Sequence, residues 1–236
     1  MRKLAVLSVF ALLFFATFAN AQCGSNCLFY GGDFDPNNPN ANGLANENDA
    51  IVGGNPYGAG VYQNVIVDQT WNVTTMFTDN LSQLDPTAGY WEVRSGLSEG
   101  NGGTLVASGT GPMTQTPTGR SGFGYTEYRD SVGLNLIVPP GSYGHLVVPI
   151  CTQCNGRSFE SNTFGLNKVG NYTLDDQFWN SAFFGANFTN ADNEGVFPAF
   201  STGALGTVVV PEPSSILMLG SGLIGVAGVI RRRLSR

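Results

Sequence analysis

Four cysteines stand in two close pairs, Cys23 with Cys27 and Cys151 with Cys154. Thiolates a few residues apart can share one tetrahedral ion, so the four together could build a zinc site. In an oxidising compartment the same four would instead close two disulfides, and four cysteines allow three connectivities. A second group lies between Gly31 and Asn55, a stretch dense in Asp and Asn. Asp33, Asp35 and Asn37 alternate there, with Glu47 and Asp49 further on, and oxygens so spaced could converge on a hard cation such as calcium. The glycine and the closing glutamate of an EF-hand loop are missing, and Asx side chains also cap their own turns. His145 is the sole histidine, so any Ser-His-Asp relay would have to pass through it. It sits in an apolar β-like run where a half-buried structural histidine is the commoner occupant. No G-x-S-x-G elbow, P-loop or H-E-x-x-H motif occurs.

Acidic pairs for glycoside hydrolysis could be drawn from Glu92, Glu99, Glu127, Glu160, Asp175 or Asp176. With so many carboxylates any particular pair is arbitrary, and the competing role is surface solubility. Trp91 and Trp179, beside Tyr90 and Phe178, could stack on the apolar faces of sugar rings. The competing role is core packing, since one member of each alternating aromatic pair must point inward. The residues therefore predict no catalytic site, a possible calcium ion and no other cofactor.

The elements that must position these groups are short. Val61–Val67, Trp71–Thr78, Tyr90–Arg94, Thr104–Ser108, Gly124–Tyr128, Leu134–Val138 and Tyr143–Ile150 read as strands rich in β-branched and aromatic residues. Gly, Pro, Asn and Asp punctuate them every ten residues or so. In the second of these the alternation predicts Trp71, Val73, Thr75 and Phe77 on one face. Phe178–Phe184 and Ala186–Thr189 are further candidates, and no fixed-period repeat emerges. Strands so short, with Gly-rich turns between them, predict an all-β fold: a single antiparallel β-sandwich, jelly-roll-like.

Both ends differ from this body. Arg2 and Lys3 precede an apolar run from Leu4 to Phe18, and Ala19-Asn20-Ala21 supplies the small residues a signal peptidase reads. Residues 1–21 are thus read as a signal peptide carried on a helix, which implies the Sec export machinery and an oxidising destination. Gln22 before Cys23 argues against a lipoprotein, and export favours disulfides over zinc. Between Gln22 and Val210 five basic residues face sixteen carboxylates, a formal charge of −11. Such a surface repels phosphate backbones, so nucleic acid is excluded as a partner. All 3 Trp, all 8 Tyr and 12 of the 16 Phe lie in this body, an aromatic supply that disordered chains lack.

The other end runs Val210-Pro211-Glu212-Pro213, then Ser214-Ser215, then fifteen residues, Ile216–Ile230, without a charge, then Arg231, Arg232 and Arg233. Arginines directly after an apolar stretch place that side in the cytoplasm and the body outside. Residues 216–230 are somewhat short of the ~20 that a bilayer span needs, yet suit a thin or compressed membrane. In this order the residues resemble the PEP-CTERM sorting signal of Gram-negative bacteria. The resemblance implies a C-terminal transmembrane helix, transient anchoring in the inner membrane, and cleavage near Pro211, Glu212 and Pro213 by an exosortase. The mature form would reach the cell surface or an extracellular polysaccharide matrix. The body, through its Trp71 to Val148 segment, is more loosely similar to β-sandwich exoprotein domains of the choice-of-anchor type.

The domain plan is then a signal peptide at 1–21, a β-sandwich body at 22–207 and the sorting signal at 208–236. Its expected role is structural or adhesive, with polysaccharide as a possible partner, and not enzymatic. The competing reading is a secreted glycan hydrolase using a carboxylate pair.

Overall fold

The computed structural model describes residues 23–174 and 176–210. The signal peptide, Pro211, Glu212 and Pro213, the apolar segment 216–230, Arg231 to Arg233, and the candidate carboxylate Asp175 lie outside the described residues. The strands are β1 (Cys27–Tyr30), β2 (Gly43–Ala45), β3 (Asn48–Asp49), β4 (Gly60–Val67), β5 (Trp71–Ser82), β6 (Ala88–Ser95), β7 (Thr104–Gly122), β8 (Tyr125–Val138) and β9 (Gly141–Cys151). They continue with β10 (Ser158–Ser161), β11 (Phe178–Ser181), β12 (Ala186–Asn190) and β13 (Thr202–Val208), with one 3-10 turn at Ala191–Asn193. No helix among the described residues is long and apolar enough to cross a membrane.

The strands join into one open sheet in the order β1-β13-β5-β8-β7-β6-β9-β4-β11-β12, with β10 on β5, β2 on β10, and β3 on β9. Only the β3–β9 pair is parallel. The all-β, antiparallel expectation therefore holds for the described residues. What the hydrogen bonds trace is a continuous sheet, not two sheets with a break between them.

That continuity depends on β7. Its first half, Thr104–Pro112, pairs with β6, and its second half, Met113–Gly122, pairs with β8. Each half is hydrogen-bonded on one side only, the edge-like position in which a proline's missing donor is tolerated. Gly109, Gly111, Pro112, Pro117 and Gly119, which read as punctuation in the sequence, are thus absorbed into one 19-residue strand.

A bulge corrects the pattern expected in β5. Val73 lies opposite Gly206 of β13 and Thr75 opposite Leu205, so β5 carries one extra residue there, and the register against β8 shifts at the same point. Trp71 and Val73 point to the central core, and beyond the bulge Met76 takes that direction. Phe77 instead packs with Tyr30 in a separate cluster, and Thr75 is not buried with Trp71.

The central core takes side chains from both arms of the sheet. Phe29, Val73, Met76, Val132 and Ala204 come from the β1-β13-β5-β8 arm, and Val65, Val67, Val93 and Val147 from the β6-β9-β4 arm. Each such buried side chain contributes about 1.5–3 kcal/mol relative to exposure. A second cluster around Phe197, Phe200 and Trp179 covers the ends of β2 and β4. A third, built on Tyr57, Tyr62, Tyr90, Leu146 and Phe178, covers the other face of β4, β6 and β9.

Candidate functional site

Both cysteine pairs close locally. Cys23 and Cys27 lie 2.05 Å apart at sulfur, and the Cα separations are 5.3 Å for Cys23–Cys27 and 5.4 Å for Cys151–Cys154. These spacings fit disulfide geometry, and each pair pins a loop at a strand end. The connectivity that sequence left open is therefore the sequential one. No zinc arrangement joins the two pairs.

The five candidate calcium ligands do not gather. Asp33 accepts from the Tyr30 hydroxyl at 2.7 Å, from Arg120 at 2.9 Å and from Asn167 at 2.7 Å. Asp35 caps its own turn by accepting from the backbone N–H of Asn37 at 2.9 Å. Glu47, fully buried, accepts from Arg157 at 2.8 Å and from the Ser158 N–H at 2.7 Å. Asp49 accepts from the Ile51 and Val52 N–H groups at 2.6 Å each. Asx-turn capping is thus what Asp35 and Asp49 do. Among the described residues no group of three or more His, Cys, Asp or Glu side chains stands together as a metal site.

His145 is buried, with its Nε2 at 3.1 Å from the Thr202 hydroxyl and its ring edge-on to Phe29 at 5.4 Å. The Thr202 hydroxyl donates to the Phe77 carbonyl at 2.6 Å, so the imidazole N–H donates to Thr202. Burial pushes the imidazole down to about 3, which keeps it neutral. Its partner is a threonine occupied with the backbone, and the ring braces β9 against β13.

The buried carboxylates sort into three settings. Glu92 accepts from the hydroxyls of Tyr62 and Tyr90 and from Arg94 Nε, the latter two at 2.7 and 2.5 Å. Tyr57 extends this chain to Tyr62 at 2.7 Å and accepts from Asn180 at 2.9 Å. Burial first, with Glu92 adding to it, raises all three tyrosines above their ordinary range, and for Tyr57 the hydrogen bond with Tyr62 pulls the other way.

Asp79 is the hub of the second setting. Arg129 grips it through Nε and a terminal nitrogen, each at 2.7 Å, while Arg120 reaches it at 3.2 Å and the Ser201 hydroxyl at 3.0 Å. Arg120 also holds Glu127 at 2.5 Å. Burial and then Asp79 push Glu127 up, against the pull of Arg120.

The third setting lies between β5, β8 and β10. Asp130 accepts from Asn80 at 3.0 Å and from Gln115 at 2.9 Å, and burial raises it to about 7. Glu160, opposite Asn80 in register, is enclosed, and burial pushes it well above the usual carboxylate range. Asp79 and Asp130 thus tie neighbouring strands together, while both Glu160 oxygens are buried without a hydrogen-bond partner among the described residues.

The two sugar-stacking candidates part company. Trp179 is only 7% exposed, with its indole N–H donating to the Ala45 carbonyl at 3.0 Å. Trp91 is half-buried beside the central core and lies over Gly109, its partner across the β6–β7 ladder. A Cβ on Gly109 would stand 2.9 Å from the indole ring, so the glycine makes room for the tryptophan.

Sequence reasoning missed a different aromatic surface. Phe123, Tyr125 and Phe159 line a groove of about 190 Å³ with Asn42, Gly43 and Leu81. Phe123 sits at the β7–β8 turn with a left-handed φ of 55° and is 65% exposed. Non-glycine residues visit that region rarely. Arg157 lies 4.8 Å from the Phe159 ring centroid. Because Ser121-Gly122-Phe123-Gly124 reads as a turn, only the exposed position of Phe123 itself could have signalled the groove.

The other feature of note is where the sheet meets the tail. β13 is an interior strand, paired to β1 and β5, with Val208 opposite Trp71. The Val209 N–H donates to the Thr70 carbonyl at 2.8 Å, and Val210 is 74% exposed. The hydrogen-bonded sheet thus closes at Val209, two residues before Pro211. Cutting beyond that point removes no ladder bond of β13.

No curated protein and no solved structure matches the chain. Residues 209–233 match the family model of the PEP-CTERM protein-sorting motif, which bears on the tail and not on the body. The match begins at the residue where the β-ladder closes. The chain carries a PEP-CTERM sorting signal, which marks it as an exported, transiently membrane-anchored protein processed by an exosortase.

Proposed function

We propose that this protein is a non-enzymatic component of the cell surface or extracellular matrix, structural or adhesive, released from its anchor by cleavage near Pro211. Signal peptidase and the Sec machinery deliver it. Pro211, Glu212 and Pro213 are the recognition residues of the exosortase, and Arg231 to Arg233 fix the orientation. The observation that carries this reading is the sorting motif starting where β13 ends. A second support is that Asp130 and His145 are enclosed and occupied with strand-to-strand contacts, while Glu160 is enclosed by burial.

In this reading the sheet folds over as a sandwich-like body, a jelly-roll-like platform. Its support is the central core shared by both arms. The ligand is an extracellular polysaccharide, and the support is the Phe123, Tyr125 and Phe159 groove with Asn42 at its side. Aromatic faces stack on the C–H faces of sugar rings, while amides bond their hydroxyls. A pull-down on matrix polysaccharides, run beside a hydrolysis assay on the same polymers, tests both halves. Binding that Phe123→Ala abolishes, with no turnover, is expected. Turnover that a single carboxylate substitution removes would establish the hydrolase instead.

A further inference from the structure

The pole of the body from which the tail departs carries a cleft of mixed lining, in which Asp68, Gln69 and Asn171 stand beside apolar residues. Cys27, Leu28, Ile66, Trp71, Val169 and Val208 line a cleft of about 270 Å³ there. Ile66, Val169, Val208 and Val209 are each between 36% and 41% exposed, and Val210 more so. The polypeptide leaves from the wall of this cleft, since Val208 is both a lining residue and the last residue of β13.

Tether length limits what can lie opposite that surface. Five residues, 211–215, separate Val210 from the apolar segment. Fully extended they span about 17 Å. Headgroups on one leaflet take up roughly 5–8 Å of that. The cleft is thereby held within about 10 Å of the headgroup layer for as long as the anchor is in place.

Charge bears on which face of an acidic body can approach lipid phosphates. In a body of net −11, the four arginines are each paired with carboxylates. The body's one lysine, Lys168, is exposed, adjoins Val169, and stands 5.2 Å from the Tyr172 ring centroid. Among the described residues it makes no ion pair. Asp68 is the one carboxylate among the cleft's lining residues, and Lys168 stands outside that lining, next to Val169.

We propose that in the anchored precursor this pole is a membrane-resting surface. Ile66, Val169 and Val208 to Val210 sit at the lipid headgroups, Lys168 faces lipid phosphates, and cleavage at the Pro-Glu-Pro site releases the surface to water. The proposal rests on the sorting-signal reading, and its test separates the two.

The full chain with its tail is placed in vesicles of phosphatidylethanolamine and phosphatidylglycerol carrying a headgroup nitroxide quencher. A fluorophore is attached at Ile66→Cys, Val169→Cys, Leu223→Cys or Phe123→Cys. Ile66, Val169 and Phe123 are exposed on the body, and the native cysteines are held in disulfides. Phe123 lies at the far end of β8, about 35 Å along the strands from Val208. Quenching at 66 and 169, with a lipid-buried signal at 223 and none at 123, is expected. A buried 223 with 66 and 169 fully in water would overturn the resting surface and leave the anchor standing. Equal quenching at 123 would overturn it too, because the body would then have no preferred pole. A probe at 223 that stays in water would remove the anchor reading and this proposal with it.

Discussion

Replacing Asp130 by Asn should stabilise this protein at neutral pH and leave it nearly unchanged in acid. Asp130 lies between β5 and β8, bonded to Asn80 and Gln115, with its carboxyl raised from 3.8 to about 7. Burial is the main cause, and the charge of Asp79 adds to it. A raised carboxyl means that the folded state holds its proton through a window in which the unfolded chain has lost it. The folded form therefore binds more protons between pH 4 and 7, and this group's contribution falls as pH rises through that window. Three units at about 1.4 kcal/mol each amount to roughly 4 kcal/mol.

His145 acts in the opposite sense. Its value falls from 6.5 to about 3, so the unfolded chain binds more protons there and stability rises with pH over that range. The wild-type profile sums the rise from His145 against the fall from Asp130 and from Glu47, Glu127 and Glu160, whose carboxyls burial also raises, and only the variant isolates Asp130. Urea unfolding of wild type and Asp130→Asn, disulfides intact, is measured at pH 4, 6 and 8. The difference between the two proteins is expected to grow from near zero to about 4 kcal/mol in favour of the variant. Parallel profiles, with a constant gap, would refute the placement of a neutral carboxyl at this site.

Three further outcomes follow from the contacts. Asp79→Ala strands Arg120 and Arg129 among buried groups and is expected to cost about 3–5 kcal/mol in urea unfolding. A loss under about 1 kcal/mol would mean that the arginines find other partners. Trp179→Ala empties a buried site beside Phe184 and should cost about 3–5 kcal/mol while leaving polysaccharide retention of the folded protein unchanged. Chelation with EDTA should leave the melting temperature where it is, because Asp33, Asp35, Glu47 and Asp49 are committed to protein donors; a fall of several degrees would place an ion among them.

How much of this was legible in the sequence differs from feature to feature. The tail was readable because its signal is contiguous: a bracketed glutamate, an apolar run and three arginines need no folding to be recognised. β4, and the β5 and β9 segments, were readable because β-branched and aromatic residues crowd them. β7 was not, because whether Pro112 and Pro117 break a strand depends on which side its neighbours occupy. The bulge at Val73–Thr75 turned Met76 inward in place of Thr75, and a period-2 pattern cannot anticipate the residue that β5 carries in excess of β13.

The Asp and Asn residues from Asp33 to Asp49 illustrate the limit for sites. They are near in sequence, but Asp33 joins Tyr30 and Arg120 while Glu47 joins Arg157, over a hundred residues away. Local spacing could suggest a shared ion and could not show these distant partners. Trp91 and Trp179 looked alike in sequence; only the layers above them decide that one is enclosed and the other half-open.

The account turns on the tail being an address and the body standing complete without it. Intact-mass and C-terminal peptide mass spectrometry of the exported protein tests this most directly. A C-terminus near Pro211, with Arg231 to Arg236 missing and the sheet's unfolding midpoint unchanged from that of the uncut chain, is the predicted result. Mature extracellular protein still ending in Arg236 would contradict it.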